Sequence, residues 1–408
     1  MWSRVSPAPT RSVRVIIDRI EVRRVHVPMK SDAVASASFS GDRGASFTAG
    51  LDKHIISVYT DDGLVGLGET WKGTPDLAVR RAAQALLGRD PLRLSLLRLD
   101  LPHDPAVINP RDRGEVVAVP VRSIVQNPAT HGFEIALADI LGQAYGVPVC
   151  QLLGGAVRDR VLVHYWSGRR TPEDLGAIAK MAQEQGFAGL KIKCARDDPH
   201  YERARAVYDA CGPDFRLTMD PNMRFDTIED TLRIGRELEG LPIEVFEDPV
   251  PKDDLDAYVR LRDELEIPLA LHLEHPQDVL AAVARGAADM FNLRGTMSGF
   301  VQTGYMAEVA GIRVWRGSGL DLGILDASYA HACSVVASCT LGSDIVGNFL
   351  REDDLIAEPL VYEGSYVKVP AGPGLGVVLD EDALAKYAVD QGDDGPGAWS
   401  IDTTGSGK

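Results

Sequence analysis

Four ionisable residues of the sequence stand at equal intervals. Lys193, Asp220, Glu247 and Glu274 each follow the previous one by 27 residues (220−193, 247−220, 274−247). Each ends a short apolar run that is predicted to be a strand: Gly189–Lys193, Arg216–Asp220, Ile243–Glu247 and Pro268–Glu274. Stretches long enough for one helix lie between the runs. A strand, a helix and two loops take about 25–30 residues in a (β/α) barrel, whose reactive groups lie at the C-terminal ends of the strands. The spacing therefore predicts that one lysine and three carboxylates meet at one barrel mouth.

The three carboxylates are the predicted metal ligands. Carboxylates that converge on one point repel one another, and a bound cation removes that repulsion. Oxygen ligands from successive strands suit a hard divalent ion, so Asp220, Glu247 and Glu274 are predicted to bind Mg²⁺, with Mn²⁺ as the alternative. Asp220 and Glu247 also stand just before Pro221 and Pro249, which end their strands.

Lys193 is the predicted base. Residues two apart on a strand face the same side, so Lys191 and Lys193 of the segment Lys-Ile-Lys both point into the barrel. The positive charges of Lys191 and of a metal ion disfavour a second ammonium, which favours the neutral, proton-accepting amine of Lys193. The alternative is that these are ordinary polar residues at strand ends, with the two lysines paired to acids. That alternative could explain any one of these residues, but it explains less well why four of them recur at the same interval on successive strands.

The segments around these residues resemble those of a known family. Lys-x-Lys, Asp-Pro-Asn, Glu-Asp-Pro and a further acid after the next strand are similar, in that order, to the enolase superfamily on its mandelate racemase and muconate lactonizing side. Gly63–Thr70 resembles the end of the family's capping sheet, and Gly132–Gly155 resembles its helical passage into the barrel. The resemblance runs from roughly Ile20 to Tyr387.

The resemblance implies an α/β fold and a type of reaction. The fold would be a modified (β/α)₇β TIM-like barrel with an α+β N-terminal capping domain that the C-terminal segment completes. The reaction would be Mg²⁺-assisted removal of a proton beside a carboxylate. The partner would be a small carboxylate substrate, and we expect the protein to be a homo-oligomer.

The chain divides into five predicted segments. We expect an N-terminal extension at 1–15, the capping domain at 16–150 with a lid loop at 30–51, the barrel at 151–350, a return to the capping domain at 351–390 and a disordered tail at 391–408. The lid loop and the tail are rich in small and polar residues and have few apolar anchors. Within the capping domain, strands are predicted at Ile16–Pro28 and His54–Tyr59, and a helix at Pro75–Leu87.

The third carboxylate departs from the family pattern by one residue. The family's ligand follows the Ile-Pro pair by five residues, which falls here on Leu273, between His272 and Glu274. A β-bulge would bring Glu274 round to the metal, and His272 is the alternative ligand. We favour Glu274 because a hard ion prefers oxygen.

The second departure concerns the opposite face of the substrate. Where two-base members of the family carry a second lysine, this sequence has Arg294, which stays protonated. The family's Asp–His pair is missing as well, because the seventh strand ends at Arg316 without a histidine. One-base chemistry is therefore favoured: Lys193 removes the α-proton and returns it to a leaving hydroxyl. This is a syn-dehydration, catalysed by a carbon–oxygen lyase.

Arg294, Arg316 and Asn222 are the predicted substrate-binding residues. The planar guanidinium suits the two oxygens of a carboxylate, which would let both arginines anchor the substrate. The alternative is that they form ion pairs with Asp321 or Asp289.

Other functions remain open on the sequence. A cycloisomerase, racemase or epimerase of the same superfamily would retain one lysine and a water. A Schiff-base aldolase using Lys193 is disfavoured by three carboxylates beside it. A barrel that binds a metal or a small acid without turnover would explain the missing second base, but not the retained Lys191 and Lys193.

Composition limits the partners and the compartment. The 43 basic and 59 acidic residues give a net charge of −16, which argues against nucleic acid and anionic membranes as partners. Five cysteines without a CxxC pair do not indicate a disulfide framework. No apolar run is long enough to span a membrane, and residues 1–14 lack the core of a signal peptide, so a cytoplasmic location is expected.

Overall fold

The structure is a computed structural model that describes residues 15–30, 35–39, 50–96, 99, 101–102, 127–392 and 395–405. Nearly all of the predicted N-terminal extension lies outside these residues. So do residues 31–34 and 40–49 of the predicted lid loop, and residues 393–394 and 406–408 of the predicted tail.

Strands and helices alternate from the middle of the chain onward. The strands are β1 Ile17–Val27, β2 Leu51–Thr60, β3 Val65–Glu69, β4 Arg160–Leu162, β5 Tyr165–Ser167, β6 Gly189–Lys193, β7 Arg216–Asp220, β8 Ile243–Glu247, β9 Leu269–Leu273, β10 Met290–Leu293, β11 Arg313–Arg316, β12 Tyr362–Glu363, β13 Tyr366–Lys368, β14 Gln391–Gly392, β15 Gly395–Pro396 and β16 Ala398–Asp402. The helices are α1 Asp76–Leu86, α2 Thr130–Tyr145, α3 Val149–Leu152, α4 Pro172–Glu184, α5 His200–Cys211, α6 Ile228–Glu237, α7 Leu255–Glu264, α8 Pro276–Arg285, α9 Met297–Val309, α10 Gly323–Val335, α11 Gly347–Leu350 and α12 Glu381–Lys386.

The N-terminal part is an antiparallel sheet in the order β16-β1-β2-β3, with α2 packed on it. Alternate residues of β1 and β2, such as Ile20 and Ile56, form a common core with Phe133 of α2. The sheet and helix approach closely at Gly68, where a Cβ would lie 2.1 Å from the carbonyl oxygen of Gly132. Only glycine fits at this contact, which fixes the end of β3 relative to the helix.

The prediction of a disordered tail at 391–408 is wrong for Ala398–Asp402, because these residues form β16. This strand pairs with Arg19–Arg23 of β1, and Trp399 is buried in the core of the capping sheet. The indole N–H of Trp399 also donates to Asp76 at 2.9 Å. The apolar residues Trp399 and Ile401 alternate with polar ones, which suits an edge strand although the surrounding composition is polar.

From β5 to β11 the chain forms a barrel of parallel strands. One sheet has the order β5-β6-β7-β8-β9-β10-β11, and parallel bridges from Val163 to Ser343 and from Val314 to Cys339 place residues 339–343 between its two edges. The strands predicted at 189–193, 216–220 and 243–247 have the predicted bounds, and the fourth is observed one residue shorter at each end. The predicted 27-residue interval therefore holds for the ends of the first three strands, and the fourth strand ends one residue before Glu274.

A buried ion cluster joins the capping sheet to the barrel. The ammonium of Lys53 on β2 lies between the carboxylates of Glu69 on β3 and Asp321, which follows β11. Glu69 also accepts hydrogen bonds from the backbone of Leu322 at 2.9 Å and Leu325 at 2.8 Å, at the start of α10. These contacts hold the end of the capping sheet against the barrel mouth.

The segment after the barrel returns towards the N-terminal strands. β13 pairs with β12 on one side and with β4, at the entry to the barrel, on the other. Ala388 forms a bridge with Val25 of β1. Within the described ranges, no helix combines the length and the apolar character needed to cross a membrane.

Candidate active site

The interior of the barrel changes from apolar to charged along its strands. Val245, Ala270, Met290 and Trp315 form an apolar layer with Leu341. Towards the C-terminal ends of β6 to β10, the inward positions carry ionisable or amide side chains: Lys191, Lys193, Asp220, Glu247, His272 and Asn292. The intervening residues, such as Ile192 and Met219, pack outward in the core shared with the helices. Strand alternation therefore places the predicted groups at the mouth.

Lys191 is the buried cation at the centre of the site. Its ammonium lies 2.7 Å from Glu247, 3.0 Å from Asp344 and 3.3 Å from Asp220. Burial lowers the pKa of Lys191, but the carboxylates of Asp344, Glu247 and Asp220 outweigh burial and raise that pKa well above its usual value. Lys191 therefore stays protonated and neutralises the acids around it.

Lys193 lies one inward position nearer the mouth than Lys191. Its ammonium pairs with the carboxylate of Asp220, and its side chain is 14% exposed, compared with 5% for Lys191. Burial raises the pKa of Asp220, but the charges of Lys193 and Lys191 overcome this effect and lower it to about 2. The other oxygen of Asp220 accepts from the backbone N–H of Asn222 at 3.0 Å. The structure thus shows the pairing of both lysines with acids that the alternative includes, and the role of Lys193 as the base stays a prediction.

Glu247 is held beside Asp220 under electrostatic strain. Burial, followed by repulsion from Asp220, raises the pKa of Glu247 to about 7. The amide of Asn292 donates to one Glu247 oxygen at 2.6 Å, and Nδ1 of His272 lies 3.9 Å from the same oxygen. Asn292 fits because residue 317 is glycine: a Cβ there would lie 2.2 Å from its amide oxygen. A second cation beside Glu247, in addition to Lys191, would reduce the repulsion between Glu247 and Asp220.

The end of β9 positions Glu274 without the predicted bulge. β9 pairs with β10 in regular register from Ala270 to Leu273, and Leu273 packs in the outer core. Alternation then gives Glu274 the same inward side as Ala270 and His272. The Cγ atom of Glu274 would lie 3.6 Å from a Cβ at Gly295, in the loop after β10. The pairing of β9 with β10 therefore shows no bulge, and the choice of Glu274 as the third ligand stays a prediction.

Asp248 lies close to two other possible metal ligands, Glu247 and His272. Ligand atoms of Glu247, Asp248 and His272 lie within 4.8 Å of one another. However, the Asp248 carboxylate accepts from the backbone N–H of His272 at 2.9 Å and pairs with Lys252 at 2.8 Å. Lys252 also donates to the carbonyl oxygen of His272 at 2.8 Å. Asp248 and Lys252 thus hold the backbone at the end of β9, and Glu247 and His272 remain the members of this group at the mouth.

The donor chemistry of the mouth fits a hard divalent cation. Asp220 and Glu247 are buried carboxylates on the adjacent strands β7 and β8, and Glu274 stands just after the end of the next strand, β9. Three acids, Asp220, Glu247 and Asp344, face two lysines, which leaves an excess of negative charge to be balanced. Oxygen-rich sites of this charge suit Mg²⁺ or Mn²⁺.

Arg294 lies opposite Lys193. The seven strands and residues 339–343 occupy eight positions around the barrel. β6 and β10 are four positions apart, so they lie on opposite sides of the barrel. The guanidinium carbon of Arg294 lies 4.8 Å from the ring centre of Trp71, a residue that follows β3 of the capping sheet. Arg294 is 9% exposed, and its buried Nε has no hydrogen-bond partner among the described residues. Arg294 therefore sits between barrel and cap, where a substrate would be enclosed.

Arg316 is placed elsewhere, which corrects its prediction as a substrate-binding residue. It has no exposed surface, and its guanidinium carbon lies 4.2 Å from the ring of Tyr329 and 5.2 Å from the ring of Phe300. It donates to the carbonyl oxygen of Gly295 at 2.7 Å. As the residue after the inward Trp315, Arg316 faces the helices, so it supports the loop that follows β10.

The predicted ion pairs of the two arginines are also replaced by others. Asp289 pairs with Arg262 at 2.6 Å, and Asp321 pairs with Lys53. In the part of the chain that the structure describes, the salt bridges of these two acids do not include Arg294.

The sequence prediction missed Asp344 and Asn292. Asp344 lies in the segment that closes the barrel and pairs with Lys191, and Asn292 orients Glu247. Asn292 stands two residues before Arg294 and shares its inward side, which is a signal the sequence offers. Asp344 carries no comparable signal, because the closing segment has only isolated bridges in place of a strand.

Comparison with known families matches both parts of the chain. Residues 174–383 match the family described as enolase C-terminal domain-like. Residues 20–154 match the N-terminal domain of the mandelate racemase/muconate lactonizing enzyme family. The chain belongs to the enolase superfamily. Within it, the two matched domains identify a member of the mandelate racemase and muconate lactonizing type, and the predicted fold class is confirmed.

Curated relatives of this superfamily member are enzymes. A chloromuconate cycloisomerase of Cupriavidus pinatubonensis is 28% identical over 350 residues, which cover 82% of this chain and 90% of the relative. An N-succinyl-L-Arg/Lys racemase of Bacillus cereus is 24% identical over 400 residues, covering 92% and 98%. The crystal structure of a muconate cycloisomerase from Pseudomonas fluorescens superposes with a TM-score of 0.73 at 26% identity, covering 91% and 99%. The chain is therefore an enzyme of this superfamily, with isomerases among its relatives.

Proposed function

We propose that this enzyme removes the proton beside the carboxylate of a small acid with Lys193 as its one base, and breaks or forms a carbon–oxygen bond at the neighbouring carbon. The observation that carries the proposal is the pairing of groups across the mouth: a lysine on β6 faces an arginine beyond β10. A second base on the opposite face would have to be Arg294, which stays protonated.

The residues have separate roles in this reaction. In its neutral form, released from the ion pair with Asp220, Lys193 accepts the α-proton. The electron pair of the broken C–H bond forms a double bond to the neighbouring carbon, and the C–O bond electrons leave with the oxygen. Lys191 remains an ammonium among Asp220, Glu247 and Asp344, and it supplies fixed positive charge near the reacting carboxylate. Arg294 and Asn222 bind substrate oxygens at the edge of the mouth.

Asp220, Glu247 and Glu274 would hold Mg²⁺, with Mn²⁺ as the alternative ion. When bound, the ion supplies positive charge against the negative charge that develops on the substrate carboxylate. His272 is the alternative to Glu274, because its ring lies 3.9 Å from Glu247.

The leaving oxygen distinguishes two outcomes of the same chemistry. If it is a free hydroxyl, Lys193 returns the proton to it, water is lost and the enzyme is a dehydratase. If it is tethered to the same molecule, as in a lactone, the elimination opens a ring and the enzyme is a cycloisomerase. The cycloisomerase names among the relatives favour the second outcome. Racemisation is disfavoured, because it needs proton transfer on both faces.

The test is proton exchange in D₂O with Mg²⁺ and a set of carboxylate probes: muconolactone, D-galactarolactone, a 2,3-dihydroxy acid, N-succinyl-L-arginine and L-Ala-L-Glu. We expect ring opening or loss of water from one probe class, with deuterium entering on one face only. Lys193→Ala should lower the rate by a factor on the order of 10²–10⁴, as for removal of a positioned base. The one-base proposal would be refuted if the wild-type enzyme inverted the configuration at the α-carbon of a probe, or if Lys193→Ala kept the kcat of the wild type.

A further inference from the structure

A fully buried arginine contacts the backbone of the proposed base. Arg203, on α5, has no exposed surface. Its Nη2 donates to the carbonyl oxygen of Lys193 at 2.8 Å, and its Nη1 donates to Asp198 at 2.6 Å. A guanidinium is costly to bury, so the contact needs an explanation beyond packing.

The β-sheet itself leaves this carbonyl without a strand partner. Pairing between β5 and β6 ends at Ser167 and Ile192, one residue before the base. On the other side, the N–H of Cys194 donates to the carbonyl oxygen of Asp220 at 3.3 Å, so the carbonyl of Lys193 points away from β7. Arg203 supplies the donor that a longer β5 would have supplied.

Asp198 ties this arginine to the rim of the barrel. Its carboxylate accepts from Arg203, from the backbone N–H of Ala195 at 2.9 Å and from Nε of Arg169 at 3.2 Å. Burial raises the pKa of Asp198, but the bond from Arg169 and the charge of Arg203 outweigh burial and lower it. Asp198 therefore stays ionised and binds both arginines.

The network reaches the described part of the predicted lid loop. The guanidinium carbon of Arg169 lies 4.4 Å from the ring centre of Phe39. The N–H of Ser36 donates to the carbonyl oxygen of Arg169 at 3.1 Å, and the N–H of Thr171 donates to the hydroxyl of Ser36 at 3.1 Å. Residues 36–39 are thus docked on the loop after β5, and Arg169 of that loop binds Asp198.

We propose that Arg203, held by Asp198, is a positioning residue that fixes the backbone of Lys193, and that Arg169 links this pair to residues 36–39. The inference rests on the proposed role of Lys193 as the base. Arg203 acts through the end of β6: without its donor, the last residue of the strand is free to shift, and a displacement of about 1 Å in a catalytic group lowers rates by about 10²-fold.

The test compares Arg203→Met with Arg203→Lys and with a matched control, Arg158→Met. Arg158 likewise donates to backbone carbonyls, those of Cys333, Val336 and Cys339, but at the opposite end of the barrel. With the turned-over probe, Arg203→Met should lower kcat by about 10- to 100-fold and change KM less than about threefold. Arg203→Lys should recover part of kcat, and Arg158→Met should keep it.

Amide hydrogen exchange supplies a readout that needs no substrate. In Arg203→Met, the N–H of Cys194 should exchange at least about tenfold faster than in the wild type, whereas Arg158→Met should leave it unchanged. If Arg203→Met does not fold, Asp198→Asn takes its place, with a smaller loss of kcat expected.

Wild-type kcat in a folded Arg203 or Asp198 variant, a change confined to KM, or unchanged exchange at Cys194 would each overturn the inference. Failure of the proposed function looks different. In that case Lys193→Ala keeps its rate, or no probe is turned over, while the exchange at Cys194 still reports whether Arg203 holds the strand.

Discussion

The ionisation of Glu134 offers a test of how burial competes with a helix N-terminus. Glu134 on α2 is 1% exposed and accepts hydrogen bonds from the backbone of Met297 at 2.7 Å and of Ser298 at 3.1 Å, at the start of α9. These donors and the helix dipole favour the carboxylate, whereas burial disfavours it. Burial dominates and raises the pKa of Glu134 from 4.5 to about 7.

This shift has a defined sign and size in the stability of the protein. The folded state binds the proton more tightly than the unfolded state between pH 4.5 and about 7. Neutral Glu134 therefore contributes stability that is complete below pH 4.5 and is lost as the pH rises through about 7. The difference in pKa corresponds to about 3 kcal/mol in the free energy of unfolding.

Glu134→Gln keeps the shape of the neutral acid and removes the titration. The hydroxyl of Ser298, which also contacts the carbonyl oxygen of Leu96 at 3.1 Å, can accept from the new amide. We expect the variant to gain about 3 kcal/mol relative to the wild type between pH 5 and pH 8, with most of the change below pH 7. Every other titrating group cancels in this difference.

The assay is equilibrium urea unfolding of both proteins at pH 5, 6, 7 and 8. An exposed counterpart, Glu239→Gln, should show no pH-dependent difference beyond about 0.5 kcal/mol. A flat difference between Glu134→Gln and wild type across this range would mean that the donors of α9 fully compensate burial, and the reasoning would be refuted.

Two further predictions concern the mouth and its link to the cap. In calorimetric titrations with Mg²⁺, Asp220→Asn and Glu274→Gln should each reduce the affinity for Mg²⁺ at least about tenfold, whereas His272→Ala should change it little. If His272→Ala reduces the affinity and Glu274→Gln does not, His272 is the third ligand. A chelator should abolish turnover, and Mg²⁺ should restore it. Lys53→Met removes the cation between two buried carboxylates and should lower the free energy of unfolding in urea by about 3–5 kcal/mol. Lys180→Met, at an exposed position, should change that free energy by no more than about 0.5 kcal/mol. Equal effects of the two variants would show that the buried ion cluster of Lys53 does not stabilise the fold.

The sequence located the strand ends because that signal is local and periodic. Apolar runs of five residues define each strand, and two-residue alternation defines the inward side, so Lys191, Lys193, Asp220 and Glu247 follow directly. The same rule, continued one residue past the end of β9, gives Glu274 the inward side without a bulge. Composition alone misjudged the tail, since an average over 391–408 hides the alternation within Ala398–Asp402.

The partners of these residues depend on contacts between distant parts of the chain. Arg294 and Arg316 looked alike in the sequence, yet one lies at the mouth under Trp71 and the other is sealed against Tyr329. Strand alternation separates them only once the strand's register is known, because a shift of one residue exchanges inside and outside.

The sequence by itself determined the barrel, the phase of its strands and the types of group at its mouth, because spacing and alternation are properties of a single chain segment. Only the tertiary structure decided which charge neutralises which. The pairing of Lys191 with Asp344 spans 153 residues, and that of Lys53 with Asp321 spans 268. Such pairs form where burial makes an unpaired charge costly, and burial is set by how the whole chain packs.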